Sequence, residues 1–461
     1  MKNIFRIPFF ILVLSASSIC QVKNEYVPYD KLEFHLSSAD DAFLDSIQYY
    51  SFLYFLNETN PDNGLIPDRN ADWSPSSIAA VGFGLPSFAI ASERGWISRE
   101  QAAAQTLNTL IFFFNAEQSD DDSATGYNGF FYHFIDMKSG KRSWNCELST
   151  IDTGWLIAGI IFCRQFYDQQ NETENQIREL ADKILNRLDW EFFIMPKESE
   201  DANSISMGWT PENGLHFMGW RGYNEAIMLY IIAAGLDMEN IESAFQAWLS
   251  SYEWQTPYEN LSSLVFPPLF GHQYSHMFVD FRYINDPYMK EKGIDYFENS
   301  RRAVYIQRQY AIDNPYGWVG YDSLCWGISA CDGPGEKFNF DGKEFLGYAG
   351  RGTSGPDLVY SDDGTIAPTA IASSIVFAPE LVIPTLKSLL QKYGDRVWGK
   401  YGFVDAFNLT ADWFDPEYLG LDQGPIILMI ENFKTGLIWN YVMKDSIIQK
   451  GLKKLGFEKL K

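Results

Sequence analysis

Five stretches of this chain are apolar on every face and rich in small residues. They begin near Ser76, Ser149, Tyr223, Pro368 and Asp422. Each follows a polar, glycine-bearing loop, and the first three starts lie about 73 residues apart. Between them run segments with one charged face. In 172–193, for example, Ile177, Leu180, Ile184, Leu185 and Leu188 recur at helical spacing. A helix apolar all round is buried, and a one-faced helix lies at the surface. The alternation predicts an all-α (α/α)6 toroid, a six-hairpin barrel. Inner helices pack around an axis, and the loops before them gather at one mouth. The sixth inner helix has the weakest pattern and is placed at 322–331. No strand–helix alternation and no glycine-rich nucleotide fingerprint are present, which excludes a doubly wound parallel sheet.

Further elements follow from breakers and caps. Ser38-Ala39-Asp40-Asp41 opens a helix through Leu56, Ser74 to Ser77 one over 78–94, and Ser98-Arg99-Glu100 one ending near Asn115. Residues 129–141 read as a small hairpin. Helices are predicted from Asn240 to Ser251, from about Asp286 to Ile312, and over 368–378, 379–393, 421–433 and 434–455. A Gly/Asp-rich excursion runs from Cys331 to Thr365. The chain reads as one domain over 38–461, preceded by an extended lead-in, 21–37.

Residues 1–20 have the pattern of a signal peptide: Lys2 and Arg6, the apolar run Phe9 to Leu14, then Ser18-Ile19-Cys20. Export as a soluble periplasmic or secreted protein is the expectation, with a lipid anchor on Cys20 as the alternative. No later apolar run reaches the roughly 18 to 20 residues of a membrane span. The formal charge of −24 becomes −26 without Lys2 and Arg6, which disfavours nucleic acid and anionic membranes as partners. Cleavage leaves Cys146, Cys163, Cys325 and Cys331, without zinc-type spacing. They are free buried thiols, or Cys325 pairs with Cys331.

Aromatic residues make up 16% of the chain, more than a core needs, and this points to a lined pocket. The densest cluster is 208–225, which holds Trp209, Glu212, Trp220 and Glu225. Aromatic faces and carboxylates together suit a sugar. Glu212, beside Trp209 and next to Pro211, is the candidate general acid, since desolvation raises a carboxyl pKa. Asp152 and Glu225 sit at inner-helix starts, where a carboxylate caps free N–H groups and also faces the mouth. His272 and His276, four apart, lack a third metal ligand of matching spacing. With Tyr274 they are assigned to sugar hydroxyls, and no metal or cofactor is expected. Trp326, Asp332 and Tyr348 flank or occupy the long excursion. Asp405 and Asp422 each stand in a tight apolar setting, and Asp405 is the candidate partner of Glu212. Paired carboxylates fit glycoside hydrolysis.

The ordered set of segments at 147–153, 222–225, 269–276, 326–332, 402–408 and 422–426 resembles the glycoamylase-like proteins of Bacteroidetes. That family contains β-1,2-glucan hydrolases. The resemblance implies an (α/α)6 toroid, export, and inverting hydrolysis of β-1,2-linked glucose chains, with Glu212 as acid and Asp405 as base. The expected partner is an oligo- or polysaccharide, and the expected state a monomer. A glycan-binding lipoprotein serving uptake, an α-glucan hydrolase of glucoamylase type and a polysaccharide lyase are the competing readings. The lyase is disfavoured, because an acidic chain repels uronates.

Overall fold

The computed structural model describes residues 25–335 and 342–459. The expected signal peptide, Cys20 and the first residues of the lead-in lie outside them. Fourteen α-helices are present among the described residues. They are α1 (Ser38–Glu58), α2 (Ile78–Glu93), α3 (Arg99–Asn115), α4 (Thr150–Phe166), α5 (Glu172–Leu185), α6 (Ile227–Gly235) and α7 (Ile241–Leu249). The rest are α8 (Pro287–Lys292), α9 (Tyr296–Asp313), α10 (Pro368–Ala372), α11 (Pro379–Tyr393), α12 (Gly420–Lys434), α13 (Leu437–Val442) and α14 (Ser446–Lys454). No described helix is long and apolar enough to cross a membrane.

The five all-apolar stretches become α2, α4, α6, α10 and α12, and nearly every residue in them is buried. Helix α2 packs against α4 and α12, α4 against α6, and α10 against α12. Small residues set how close they come. A Cβ on Gly82 of α2 would stand 2.4 Å from the Trp155 carbonyl oxygen, and one on Gly159 of α4 only 2.1 Å from that of Gly82. These two backbones therefore touch directly. Helices with a charged face lie outside: α3 packs on α2 and α5, α5 on α4, and α14 on α6. In α5 only one stripe is buried, including Ile177, Ala181, Ile184 and Leu185.

Local chemistry accounts for the helix starts. Ser37 caps α1, accepting from the Asp40 N–H at 3.1 Å, one residue before the expected opening. Ser98 and Gln101 close a reciprocal capping box on α3. The predicted helix over 286–312 divides into α8 and α9, because Gly293 turns left-handed at φ 74° and Asp295 caps a new start. Likewise 434–455 divides into α13 and α14.

The expected helix at 322–331 is absent. Gly327 has φ 105°, which no right-handed helix accommodates, and the chain is held extended by Gln307. The Gln307 side chain accepts from the Ile328 N–H at 2.8 Å and donates to its carbonyl at 2.9 Å. Two 3-10 turns, Leu269–His272 and Tyr274–Met277, contact the starts of the neighbouring inner helices instead. Gln273 donates to the Ala370 carbonyl at 2.7 Å, and the Tyr274 hydroxyl to the Leu421 carbonyl at 3.2 Å. Cys146, Cys163, Cys325 and Cys331 are all free.

Short antiparallel strands tie the loops at the inner-helix starts. Ser76–Ser77 pairs with Phe134–Ile135 just before α2. Leu148–Ser149, before α4, pairs with Gly208–Thr210, which pairs on with Gly214–Leu215. Thr365–Ile366, before α10, pairs with Phe407–Asn408 and through it with Trp413–Phe414. The excursion from 331 is anchored by Arg351, which is fully buried. It donates to Asp363 at 2.8 and 2.9 Å and to the carbonyls of Cys331, Leu346 and Gly347.

Candidate active site

The loops ahead of α2, α4, α6 and α12 bring together carboxylates from across the sequence. Ser149 caps α4 by accepting from the Asp152 N–H at 3.1 Å, and its hydroxyl donates to the Asp152 carboxylate. Asp152 is thus fixed in the first turn of a buried helix. His133, from the adjoining hairpin, lies 3.6 Å from Asp152 and 3.0 Å from Glu147. Burial alone would lower the His133 pKa, but Asp152 and Glu147 outweigh it and push it up to about 9. His133 is therefore a cation at neutral pH, shared between two carboxylates.

Glu225 stands at the entry to α6. It is buried, and its Oε2 has no hydrogen-bond partner. Burial, with the charge of Asp152 nearby, raises its pKa to about 7. Its backbone is pinned by the Ser275 hydroxyl, which donates to the Glu225 carbonyl.

A second group is built around Asp405. Asp405 accepts the Asp332 N–H at 2.8 Å and leaves its Oδ1 without a partner. Burial raises its pKa, aided by the charge of Asp332, and a hydrogen bond with Asp422 opposes the rise. Asp422 is raised further by its own burial and by Asp405. Burial and mutual repulsion raise both carboxyls of the pair, so the two titrate together and do not both ionise readily. Asp415, beside them, is raised to about 8 by burial and by Asp405. Arg69 supplies the positive charge, reaching Asp332 at 2.7 Å and Glu417 at 2.9 Å.

Tyr274 and Tyr348 link the two groups. Burial raises the Tyr274 pKa, followed by the charges of Asp422, Glu225 and Asp405. Tyr348 is 70% exposed, yet its hydroxyl is raised by desolvation and by Asp405, Asp68 and Asp152 together. Asp68 in turn feels both His133 and Asp332. The acids thus form a ring, with Glu225, Asp152 and His133 on one arc and Asp332, Asp405 and Asp422 on the other. His133, Glu147 and Asp152 offer ligand atoms within 4.8 Å of one another, as do Asp332, Asp405 and Asp415. His133 lies against both carboxylates of the first set, and Arg69 reaches Asp332 of the second.

Asp152, Glu225, Tyr274, Asp332, Tyr348, Asp405 and Asp422, all anticipated from the sequence, belong to this ring. Several other expectations are corrected. Glu212 is exposed, and Arg142 grips it at 2.7 and 3.1 Å. That ion pair holds its pKa at about 2, the opposite of what a general acid needs. Trp209 is half-buried against Tyr127 and Phe192. Trp220 is buried and gives its indole N–H to Thr150 at 2.9 Å. His272 and His276 lie in the core, where burial lowers both pKa values to about 3. Their ring nitrogens meet the Phe266 carbonyl and the Ser300 hydroxyl. Trp326 is fully buried and donates to Thr385 at 3.0 Å. These five aromatic residues support the site from within the protein.

Asp68, Arg69, His133 and Asp415 were missed. A signal existed for the first two, since they occupy the polar loop ahead of an all-apolar helix, as Glu225 does.

The fold and site define a helical protein with buried carboxylates gathered at the starts of its inner helices. Residues 217–446 match the family described as "Glycoamylase: Putative glucoamylase". A protein of that description from Bacteroides uniformis is 33% identical, with a TM-score of 0.79, 93% of this chain covered and 100% of the other. The chain belongs to this glucoamylase-like family. The endo-β-1,2-glucanase of Chitinophaga pinensis, solved with sophorotriose and glucose, is 26% identical with a TM-score of 0.78, covering 92% and 99% of the two chains. An exo β-1,2-glucooligosaccharide sophorohydrolase of Parabacteroides distasonis is 29% identical over 456 residues. The match takes in 90% of this chain but spans only 58% of that relative's length.

Proposed function

We propose that this protein is a glycoside hydrolase that cleaves β-1,2-linked glucan with inversion at the anomeric carbon. The observation that carries the reading is Glu225, a buried carboxyl with a free oxygen and a pKa of about 7, which acts on the Tyr274 hydroxyl together with the pair Asp405 and Asp422. Glu225 carries its proton near neutrality and gives it to the leaving glycosidic oxygen. Asp405, oriented by the Asp332 N–H, takes the proton of the water that attacks the opposite face of the sugar. Asp422 holds the second proton of the pair, so that Asp405 is the ionised partner. Asp152 and Tyr274 lie beside the proposed acid, positioned to meet substrate hydroxyls.

The substrate class follows from the Chitinophaga glucanase and the Parabacteroides sophorohydrolase, which both act on β-1,2-linked glucose chains. The family's glucoamylase description favours α-glucans instead. The purified protein incubated with β-1,2-, β-1,3- and α-1,4-glucans in parallel separates the two. Reducing ends from the first, α-configured as first released by NMR, support this reading. Release from α-1,4-glucan alone would overturn the substrate assignment.

Two finer points belong to the same reading. The packing order of α12, α2, α4 and α6, with α10 against α12 and the turns at 269–277 between them, supports a closed (α/α)6 ring. The Lys2 to Cys20 pattern supports export to the periplasm or beyond. Cell fractionation tests it, and retention in the cytosol with residues 1–20 intact would contradict it.

A further inference from the structure

We propose that the rim beside Asp68 and Arg69 carries a distal glucan-binding site built on Trp73 and Trp144, which takes uncharged glucosyl units of a chain already engaged at the catalytic carboxylates. The inference rests on the glucan reading above and adds a second point of attachment for the same polymer.

Of the 14 tryptophans, all among the described residues, only these two are exposed, Trp73 at 60% and Trp144 at 58%. Large exposed apolar faces carry a solvation cost and mark surfaces that something covers. The two indoles stand side by side, with centroids 6.0 Å apart and planes 38° apart. This spacing makes one continuous wall. They bound a cavity of about 430 Å³, within the roughly 300–1,000 Å³ of small-molecule sites. Asn70, Asp72, Lys138 and Ser143 also line it. An apolar wall opposite a polar lining of mixed charge matches a pyranose, which has C–H faces and hydroxyl edges.

The backbone at Trp144 is built for display. Trp144 and Asn145 both have left-handed φ, 56° and 50°. That conformation is unfavourable for a tryptophan and persists only where the surroundings enforce it. The enforcing residue is Arg142, which donates to the Asn145 carbonyl at 2.8 Å and the Cys146 carbonyl at 2.6 Å. Glu212, paired with Arg142 through both carboxylate oxygens, holds that guanidinium in place. Glu212 is thus a positioning residue for Trp144.

Side-chain contacts connect the cavity wall to the catalytic ring along two edges. On one edge an aromatic row runs inward. Trp144 packs on Phe134 at 5.0 Å, Phe134 stacks on His133 at 3.9 Å, and His133 reaches Asp152 at 3.6 Å. On the other, Arg69 lies 5.6 Å from the Trp73 ring and grips Asp332. The tryptophan wall thus stands two side chains from Asp332, through Arg69, and three from Asp152, through Phe134 and His133, which places it where further units of an engaged chain would bind.

The test compares chain lengths. Calorimetry with the Glu225→Gln protein measures binding of sophorotriose and of long β-1,2-glucan, and steady-state kinetics with the otherwise wild-type protein give KM for both. Wild type is expected to favour the long chain, and the Trp73→Ala/Trp144→Ala double variant to lose that preference, with about a tenfold rise in KM for long glucan. Trp144→Phe, which keeps an aromatic face, should restore most of it, while Glu212→Gln should give part of the loss. Unchanged melting temperatures exclude misfolding. A double variant that keeps the full dependence on chain length overturns the distal site. If wild type binds β-1,2-glucan but releases no reducing ends, the hydrolase reading fails, and the binding arm still decides the distal site.

Discussion

Arg69 and Asp332 are 263 residues apart in sequence and 2.7 Å apart in space. Their contact joins the loop ahead of α2 to the excursion after 331 and puts a fixed positive charge beside Asp405. Arg69→Met leaves Asp332 and Glu417 without their cation. The expected loss of stability is on the order of 3 kcal/mol, read from urea unfolding. Arg69 also lowers the Asp405 pKa, so its removal keeps the base protonated to higher pH. Activity of the variant should fall more at pH 6 than at pH 8, and the acid limb of the kcat profile should move upward. An unmoved acid limb would contradict the role of Arg69 in setting the base.

Glu225→Gln removes the proposed acid and should lower kcat by about a hundred- to ten-thousandfold. Because the Glu225 pKa stands at about 7, wild-type activity should decline as pH rises through that value and the proton is lost. Glu212→Gln serves as the contrast. With that pKa held at about 2 there is no proton to give at neutral pH, so turnover of a short glucan should stay within tenfold of wild type. Loss of all activity in Glu212→Gln would reverse the assignment.

The same residue links pH to stability. In the unfolded chain Glu225 ionises near 4.5, and in the folded protein near 7. Between these values the folded state binds more protons, so stability falls as pH rises and the cost is complete above pH 7. Its size is about 3 kcal/mol. Glu225→Gln has no proton to lose, so its melting temperature should exceed that of wild type at pH 8.5 and match it near pH 4.5. Equal values at both would show that Glu225 ionises freely.

Asp422 separates hydrogen bonding from charge. If it is the protonated donor to Asp405, then Asp422→Asn keeps a donor in place and should retain activity within about tenfold. Asp422→Ala leaves Asp405 without it and should lose about a hundredfold or more. Parallel kinetics on the two variants check this, and equal losses would contradict the shared proton.

Trp326 is a core residue in the middle of an otherwise site-rich segment. Trp326→Ala should cost about 3–5 kcal/mol of stability through the cavity it leaves. The KM of the folded fraction should remain unchanged, which chemical denaturation and kinetics below the melting temperature will read.

The inner helices were legible because their signal is local. A run such as 226–235, apolar on every face, has no polar side to show to water and must be buried wherever the chain places it. The acids at the helix starts were legible for the same reason, since Asp152, Glu225 and Asp422 interrupt runs where only capping or function tolerates a charge. Glu212 was misread because aromatic density near it in sequence was taken for desolvation in space. Trp209 turns instead to Tyr127 and Phe192, and Arg142, 70 residues earlier, reaches Glu212. His272, His276 and Trp220 were misread in the same way, since all three are buried, with His272 Nε2 turned to the Phe266 carbonyl, His276 Nε2 to the Ser300 hydroxyl and the Trp220 indole N–H to Thr150.

The sequence by itself therefore determined five of the inner helices and that carboxylates stand at or before their starts, because burial of a whole helix depends on its own composition, but it misplaced a sixth at 322–331. Only the tertiary structure decided which acid carries the proton. That depends on the charge and solvent around each carboxyl, and these come from Arg69, His133 and Arg142 on loops whose positions no local pattern records.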